Sequence, residues 1–493
     1  MRWGAFCSGL IAAAWVSGCD SAEREFSEPP PAPACDPGSN STALGDDCAI
    51  FVAPTGDDAS AGSKEKPLRT LGKAVLAAKG SGVGRVYACR GIYDEALVIP
   101  PGITLVGALD CYEGTWAPTD DKSVIAGAAD KVAVRFLAGE KIVLDGFKVV
   151  AANASAPGGS SIAAIAETEA SVDIRRSEIS AGDGAVGVDG EDGVPGLDAP
   201  PVDLLNEGQP LCSGTKGNPG GAPHMNSCGD DGEFSIGGEG GFGGIDTGAD
   251  GSSGEPVSPG TGEGGVTGAA CFKVGGSGHA GAAGADGAPG APGAGLGLLT
   301  VAEGWVGVTG GAGGRGAVGQ GGGGGAGQKG KVLCAGASGG SGGSGGCGGV
   351  GGKGGISGGS SVALVSIHAT VTLVDVVLKS GSGAAGGRGG SGQAGGLGAL
   401  GAVGGSNKAD TTLPPGCGGG KGGDGGKGAP GGGGSGGHSA AIAYVGVAPA
   451  GSYEATFGAP GVGGLGGNEN VAANAGSDGV AQKTLEIIEP TPG

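Results

Sequence analysis

From Gly339 to Ile356 the chain reads Gly-Gly-Ser, Gly-Gly-Ser, Gly-Gly-Cys, Gly-Gly-Val, Gly-Gly-Lys, Gly-Gly-Ile, with no slip in phase. A period of three with glycine in two of three places suits neither an amphipathic helix nor an alternating strand. It suits a threefold, left-handed extended helix of the polyproline II type, which makes no internal hydrogen bonds and here leaves two faces bare of side chains. Other backbones can approach those faces closely. Every residue still carries a donor and an acceptor, so such a run must either stay hydrated or pair with neighbouring segments.

Further glycine-rich segments occupy about 182–294, 381–438 and 458–480, and the quoted run belongs to a fourth, 310–360. Gly184 to Gly196 and Gly278 to Gly293 carry glycine at every third place. A collagen triple helix is the obvious comparison, but these runs are short and change phase, and Cys271, Cys334, Cys347 and Cys417 fall in or beside them. The reading favoured here is an intrachain arrangement in which each insert runs out and back as threefold extended segments stapled by disulfides. Disorder is the competing reading, since the segments are of low complexity and glycine loses much entropy on ordering.

Glycine supplies 126 of 493 residues while aromatics make up 4%, which argues against one dense core along the whole length. The apolar residues concentrate in 49–180, 295–309, 361–379 and 440–457. After Pro67, the spacing of Leu68, Leu71, Val75 and Ala78 predicts an amphipathic helix over Arg69 to Lys79. Strand-like runs follow at Arg85 to Cys89, Ala96 to Ile99 and Ile103 to Val106. Further on, one spacing recurs in Ile142, Leu144 and Val149, in Val172, Ile174 and Ile179, and in Val371, Leu373 and Leu378. Each set has a polar or turn position after its second member, at Asp145-Gly146, Arg175-Arg176 and Val374-Asp375. Repeats of this kind predict stacked coils, each unable to bury its apolar face alone.

The order Pro67-Leu68-Arg69-Thr70-Leu71, Ala74, Gly91-Ile92-Tyr93-Asp94-Glu95, Leu97 to Ile99 and Ile103-Thr104-Leu105-Val106-Gly107 resembles the opening of right-handed parallel β-helix proteins. Pectin methylesterases and DUF1565-like surface domains share that opening, in which a helix caps the first coil. The glycine-rich inserts resemble PGRS-type surface repeats. The expected fold is therefore all-β: a right-handed parallel β-helix of pectin-lyase-like type with an N-terminal cap helix and long inserts, polyproline II-like or disordered. Residues 49–181 and 361–380 would hold coils, 295–309 a candidate coil, and 439–493 a terminal coil with a glycine-rich tail.

Arg2, the apolar run Leu10 to Val16 and the ending Val16-Ser17-Gly18-Cys19 read as a secretory signal. The last four residues resemble the lipobox of bacterial lipoproteins, which implies removal of residues 1–18 and a lipid on Cys19. Residues 19–48 would hold the anchor and a tether, with Pro29-Pro30-Pro31 in it. An ordinary signal peptide, with Cys19 a disulfide partner, is the alternative. Cys35, Cys48, Cys89, Cys111, Cys212, Cys228, Cys271, Cys334, Cys347 and Cys417 remain, an even set that suits disulfides in an exported chain. Nearest-neighbour pairing would join Cys35 to Cys48, Cys89 to Cys111 and Cys212 to Cys228, although sequence does not fix connectivity. Zinc is disfavoured because no Cys-x-x-Cys occurs and His224, His279, His368 and His438 are scattered.

A net charge of −20 disfavours nucleic acid. The esterase family's Gln-Asp-Thr-Leu-like, Asp-Phe-Ile-Phe-Gly-like and Leu-Gly-Arg-Pro-Trp-like segments are missing, so the resemblance carries over no catalytic residue. Asp173, Arg175, Arg176 and Glu178, and likewise Asp375, Lys379 and Arg388, read as solvated mixed charges beside coils. His368 reads as a half-buried strand residue. Asp183, Asp189, Glu191, Asp192 and Asp198 suggest weak calcium association without a recognisable calcium motif. No cofactor is implied. The expectation is a non-enzymatic, lipid-anchored cell-envelope protein, at the outer membrane or cell surface, with glycine-rich lobes for structural or adhesive contacts. Its partners would be the membrane and extracellular polysaccharide or other surface proteins. A polysaccharide-binding or polysaccharide-degrading protein on the same scaffold is the alternative, though the chain is poor in aromatic platforms.

Overall fold

A computed structural model describes residues 35, 37, 44–229, 232–271, 275–468 and 472–488. The signal segment 1–18, Cys19 and the tether residues 20–34 lie outside the described residues. The described residues are strand-rich, with an α-helix at Leu71–Ser81 and large parallel sheets, in keeping with an all-β class.

Strands follow one another in sets of three. Arg85–Cys89, Gly91–Tyr93 and Leu97–Ile99 form a first circuit, and Thr104–Asp110, Ser123–Gly127 and Val134–Phe136 a second. Ile142–Asp145, Phe147–Ala151 and Ser161–Ala166 form the third, and Ser171–Arg175, Glu178–Ser180 and Ser361–Ile367 the fourth. In the fifth, Thr370–Lys379 spans the first two positions and Ser439–Val445 fills the third; Ala450–Thr456 and Ala481–Glu486 make the sixth. Each strand pairs in parallel with its counterpart in the next circuit. First and second positions share a 12-stranded sheet, and third positions build a 6-stranded one.

The recurrent apolar sets stack in register. Ile142 and Leu144 face Val172 and Ile174, which face Val371 and Leu373, while Val149, Ile179 and Leu378 form the neighbouring row. All are buried in one core. The bend after each second member is made by Gly146, Arg176 and Asp375, all with positive φ. Arg176 and Asp375 pay local strain there, and bonds between circuits, such as Arg176 N–H to the Val374 carbonyl, hold the bends in line.

The helix runs Leu71–Ser81, two residues later than the apolar spacing alone predicts at each end. Thr70 is its N-cap, with Oγ1 accepting from Lys73 N–H, and Glu95 accepts from Leu71 N–H at 2.7 Å and Gly72 N–H at 2.9 Å. These side chains satisfy donors that the first turn leaves unpaired. Leu71, Ala74, Val75 and Ala78 are buried against the first circuit. Behind it, Phe51, Tyr87 and Trp116 pack edge to face beside the Cys35–Cys48 and Cys89–Cys111 disulfides.

Residues 295–309, expected as a coil, are instead an antiparallel hairpin of Leu298–Thr300 and Gly304–Val306. The physical reason is cover: the six-stranded sheet is apolar on both faces, and Leu299 and Trp305 shield its outer face with Ile162, Ile165 and Val365. His368, expected half-buried within a strand, is exposed at a turn with φ 45° between Ser361–Ile367 and Thr370–Lys379.

Every long insert departs between the second and third positions of a circuit: after Glu178–Ser180, after Thr370–Lys379 and after Ala450–Thr456. The outgoing segment 184–199 donates from every third residue, Gly184, Gly187, Gly190, Gly193, Gly196 and Ala199, to the carbonyls of Ser382, Ala385, Arg388, Ser391, Ala394 and Leu397 at 2.7 to 2.9 Å. The quoted run lies at the centre of this lattice. Gly343, Gly346, Gly349 and Gly352 donate to Gly420, Gly423, Gly426 and Ala429, whereas Cys347, Val350, Lys353 and Ile356 donate to Leu197, Val194, Glu191 and Val188. Its carbonyls accept from 310–325 on one side and 387–402 on another. The run is thus extended and paired along its length with surrounding segments rather than disordered.

Candidate functional site

The charges beside the circuits pair along the strands. Lys141 and Arg175 both reach Asp173, at 3.1 and 2.8 Å, and Arg176 forks onto Asp145 at 2.9 and 2.7 Å. Lys148 and Lys379 share Glu178 at 3.2 and 3.0 Å. Desolvation pushes the Asp173 and Glu178 carboxyls up, but bonds from Arg175 and Lys141, and from Lys379 and Lys148, bring both below their usual values. Asp375 bonds Ser452 through its backbone N–H, and the Arg388 N–H bonds Asp189. Asp145, Asp173 and Glu178 are thus each neutralised by cations of their own or a neighbouring circuit.

The acidic cluster of the first insert does something different. Asp183, Asp189, Asp192 and Asp198 each accept a backbone N–H of the neighbouring segment, from Ser382, Arg388, Ser391 and Leu397, at 2.6 to 2.7 Å. Glu191 pairs with Lys353 at 2.6 Å, and that bond holds its carboxyl below the usual range. The N–H groups in question face outward, where the lattice has no further segment to receive them, and the carboxylates replace it. Asp286 does the same for Lys427, Asp424 for Gly398 and Asp478 for Gly463. The sequence signal was present: aspartate recurs in phase with glycine, as in Gly187-Val188-Asp189 and Gly196-Leu197-Asp198. Among the described residues no group of three or more His, Cys, Asp or Glu side chains is placed to hold a metal ion.

The ten cysteines form five disulfides. Cys212 joins Cys334, Cys228 joins Cys347 and Cys271 joins Cys417, so the nearest-neighbour pairing of Cys212 with Cys228 is incorrect. Extended segments carry sequence neighbours apart along the rod, while a segment returning more than a hundred residues later lies alongside. The five bonds point to an oxidising compartment outside the cytoplasm. No helix among the described residues is long and apolar enough to cross a membrane.

Two histidines are built into the packing. His224 Nδ1 accepts the Ser344 N–H at 3.1 Å, and burial pushes its pKa down. His438 Nδ1 accepts the Val480 N–H at 2.9 Å, and its ring lies 4.7 Å from Trp305. Burial pushes His438 down to about 4, partly offset by a bond to the Leu296 backbone. His279 lies 3.7 Å from Glu263.

An open cavity of about 760 Å³ lies between the hairpin and the second and third circuits, lined by Asp130, Lys131, Arg135, Glu303 and Trp305 among others. Its chemistry is largely committed. Asp130 accepts from Ser155 and Ala156, and these bonds hold its carboxyl low; Arg135 donates to the carbonyls of Val301 and Ala302. Trp305 is buried and offers no open ring. The lobe surface is more open: Val186, Val194, Leu197, Leu397, Leu400 and Val403 are each at least 60% exposed.

Residues 54–194 match the family described as Protein of unknown function (DUF1565). The match takes in the helix, the first circuits and the start of the first outgoing segment. No curated protein and no solved structure matches the chain.

Proposed function

We propose that this is a non-enzymatic, lipid-anchored protein of the cell envelope, in which a right-handed parallel β-helix holds out a rigid glycine-rich lobe for structural or adhesive contact. The observation that carries the reading is the lobe itself. Its backbone is fixed by a hydrogen bond at nearly every third residue, and its outward carboxylates are engaged by N–H groups. What it presents to its surroundings is a set of apolar side chains on a stiff frame, such as Leu397, Leu400 and Val403. Exposed apolar groups held without loss of further entropy favour contact with other surfaces.

The helical winding is supported by the in-register parallel circuits, by the match to a family associated with β-helix folds, and by the strong preference of parallel crossovers for the right hand. Anchoring rests on Val16-Ser17-Gly18-Cys19, and the PGRS-like character on the glycine periodicity. Fractionation and mass spectrometry test the reading together. The mature protein should sediment with membranes and carry a diacylglyceryl group on Cys19, and Cys19→Ala should shift it to the soluble fraction. An unmodified N-terminus elsewhere refutes the anchor. Release of new reducing ends from a polysaccharide panel by the purified protein refutes the non-enzymatic part.

A further inference from the structure

Two rods of the lobe, 310–330 and 334–359, run side by side away from the circuits. Gly310 N–H bonds the Gly355 carbonyl near the sheets, and the pairing continues outward through Gly325 to Gly340 and Gln328 to Ala337. The rods meet in the turn Lys331-Val332-Leu333-Cys334, closed by Lys331 N–H to the Cys334 carbonyl and Cys334 N–H to the Lys331 carbonyl, both at 2.9 Å. At about 3.1 Å per residue this turn stands roughly 75 Å from the sheets. Val332 is 82% exposed, and Leu333 is 75% exposed with φ 65°. Glycine takes that backbone conformation freely and leucine does not, yet in a chain where glycine supplies 126 of 493 residues this turn holds leucine. An exposed leucine kept in a strained turn contributes nothing evident to folding, and such outliers point to function. The turn is also firmly held. Cys334 is bonded to Cys212 and buried with Leu211 and Ala337 against Leu413, and Lys331 pairs with Asp410 of the adjoining loop at 2.7 Å.

We infer that this turn is a prong for an anionic lipid surface: Val332 and Leu333 enter the boundary between headgroups and acyl chains while neighbouring lysines meet the phosphates. Charge favours that partner. The loops 328–334 and 406–416 carry Lys329, Lys331 and Lys408 against Asp410 alone, in a chain whose net charge is −20. Lys216 adds a further cation, since the adjacent Gly217 pairs with Gly244, which bridges to Lys329. Asp246, which lines a shallow cavity with Lys329, is a further acid nearby. Lys216, Lys329 and Lys408 are all exposed, and flexible lysine stems can set their charges at headgroup level beside a buried apolar tip. Shape favours it too. A two-residue prong covers far less than the roughly 800 Å² per partner of a stable protein interface, whereas a bilayer receives it without a complementary pocket. The inference deepens the contact role proposed for the lobe by naming the surface touched, and it rests on the lobe being a rigid frame.

The test uses the full chain and vesicles of equal parts phosphatidylglycerol and phosphatidylcholine, or of phosphatidylcholine alone. Site-resolved amide hydrogen exchange is read at Val332, whose N–H donates to no described group. The expected result is roughly fivefold or more slower exchange at Val332 with the anionic vesicles and little change with phosphatidylcholine. Lys329→Gln with Lys408→Gln, which spares the Lys331 pair with Asp410, should weaken that protection. Leu333→Gly should abolish it while leaving the thermal midpoint no lower, because glycine suits φ 65°. No protection by anionic vesicles, equal protection by phosphatidylcholine, or protection that survives either set of substitutions overturns the proposal. A lowered midpoint in Leu333→Gly overturns it as well, since Leu333 would then serve the fold. Protection that appears without vesicles and grows with protein concentration also overturns it, because the prong would then meet a second copy. Gly343 and Gly346 stay protected in every sample if the lobe is rigid, so their exchange separates failure of the prong from failure of the frame. The readout is local to the turn and holds whether or not Cys19 carries a lipid.

Discussion

Alanine at Gly343 should destabilise the lobe by an amount that the structure allows to be worked out. A Cβ there lies 2.2 Å from the Ala399 carbonyl oxygen and 2.6 Å from its carbon, whereas ordinary contact begins near 3.4 Å. The segments around Gly343 and Ala399 must therefore part by more than an ångström. Three bonds cross this point: Gly343 N–H to Gly420 at 3.0 Å, Ala399 N–H to Ser344 at 2.9 Å and Gly422 N–H to Ala399 at 2.8 Å. Losing them costs about 3 kcal/mol at about 1 kcal/mol each. Alanine recovers roughly 0.4–1 kcal/mol by restricting the unfolded chain, which leaves a net loss of about 2 kcal/mol. Gly80 supplies the control, since it lies in the helix with nothing within 4 Å of its Cβ position. Gly80→Ala should stabilise by roughly 0.5–1 kcal/mol. Denaturant unfolding gives the two opposite signs, and amide exchange at Gly343, Gly346 and Gly349 localises the loss. A Gly343→Ala protein as stable as its parent, with these amides exchanging like free peptide in both, would refute the paired lattice.

Leu71→Asp places a charge on a fully buried helix face, and aggregation or loss of cooperative unfolding should follow; a soluble, equally stable variant means the helix covers nothing. Stability should also fall in mild acid through His438. The unfolded chain takes up its proton near pH 6.5 and the folded chain only near pH 4, so the contribution is complete above pH 6.5 and is lost as pH falls toward 4, on the order of 3 kcal/mol in all. Urea midpoints at pH 7.5, 6 and 5 measure it, and His438→Gln should flatten the slope between pH 6.5 and 5. The double variant Cys228→Ser, Cys347→Ser should lower lobe stability by about 2–4 kcal/mol. Its exchange rates should rise at Asn226 and Gly345 while Val172 and Ile174 stay slow; uniform loosening would show that lobe and sheets unfold as one unit.

The stacking of the circuits was legible because Ile142, Val172 and Val371 begin sets with the same spacing, and spacing is what a parallel register preserves. The helix was legible from its apolar face, but its start was not: Glu95, which receives the Leu71 and Gly72 N–H groups, lies on another element. Period three announced the extended conformation of Gly339 to Ile356, while its partners, spread over several other segments between residues 188 and 432, were beyond any local signal. Distance along the chain also hid the cysteine pairing. Cys228 is nearer to Cys212 in sequence, yet Cys347 returns beside it. His368 misled because its neighbours are strand-like, although a turn takes it out of the strand. The aspartates of the first insert misled in an instructive way. Clustered acids suggest a cation, but in a lattice edge they answer unpaired N–H groups, and the phase of Asp189, Asp192 and Asp198 with glycine was the clue.

All three long inserts leave from one corner of successive circuits, and this separates two directions of growth. Adding triplets to an insert would lengthen the rods without touching the sheets, since each rod is held by its flanks. Adding a circuit would widen the array by one outgoing and one returning rod, already in phase because Glu178 and Val377 are matched before the rods begin. Reach and breadth can therefore vary independently, by simple duplication of either unit, with the junction chemistry left intact. A slipped duplication of one triplet in only one rod would be the damaging event, as it would shift every rung beyond the slip unless both neighbours shifted with it.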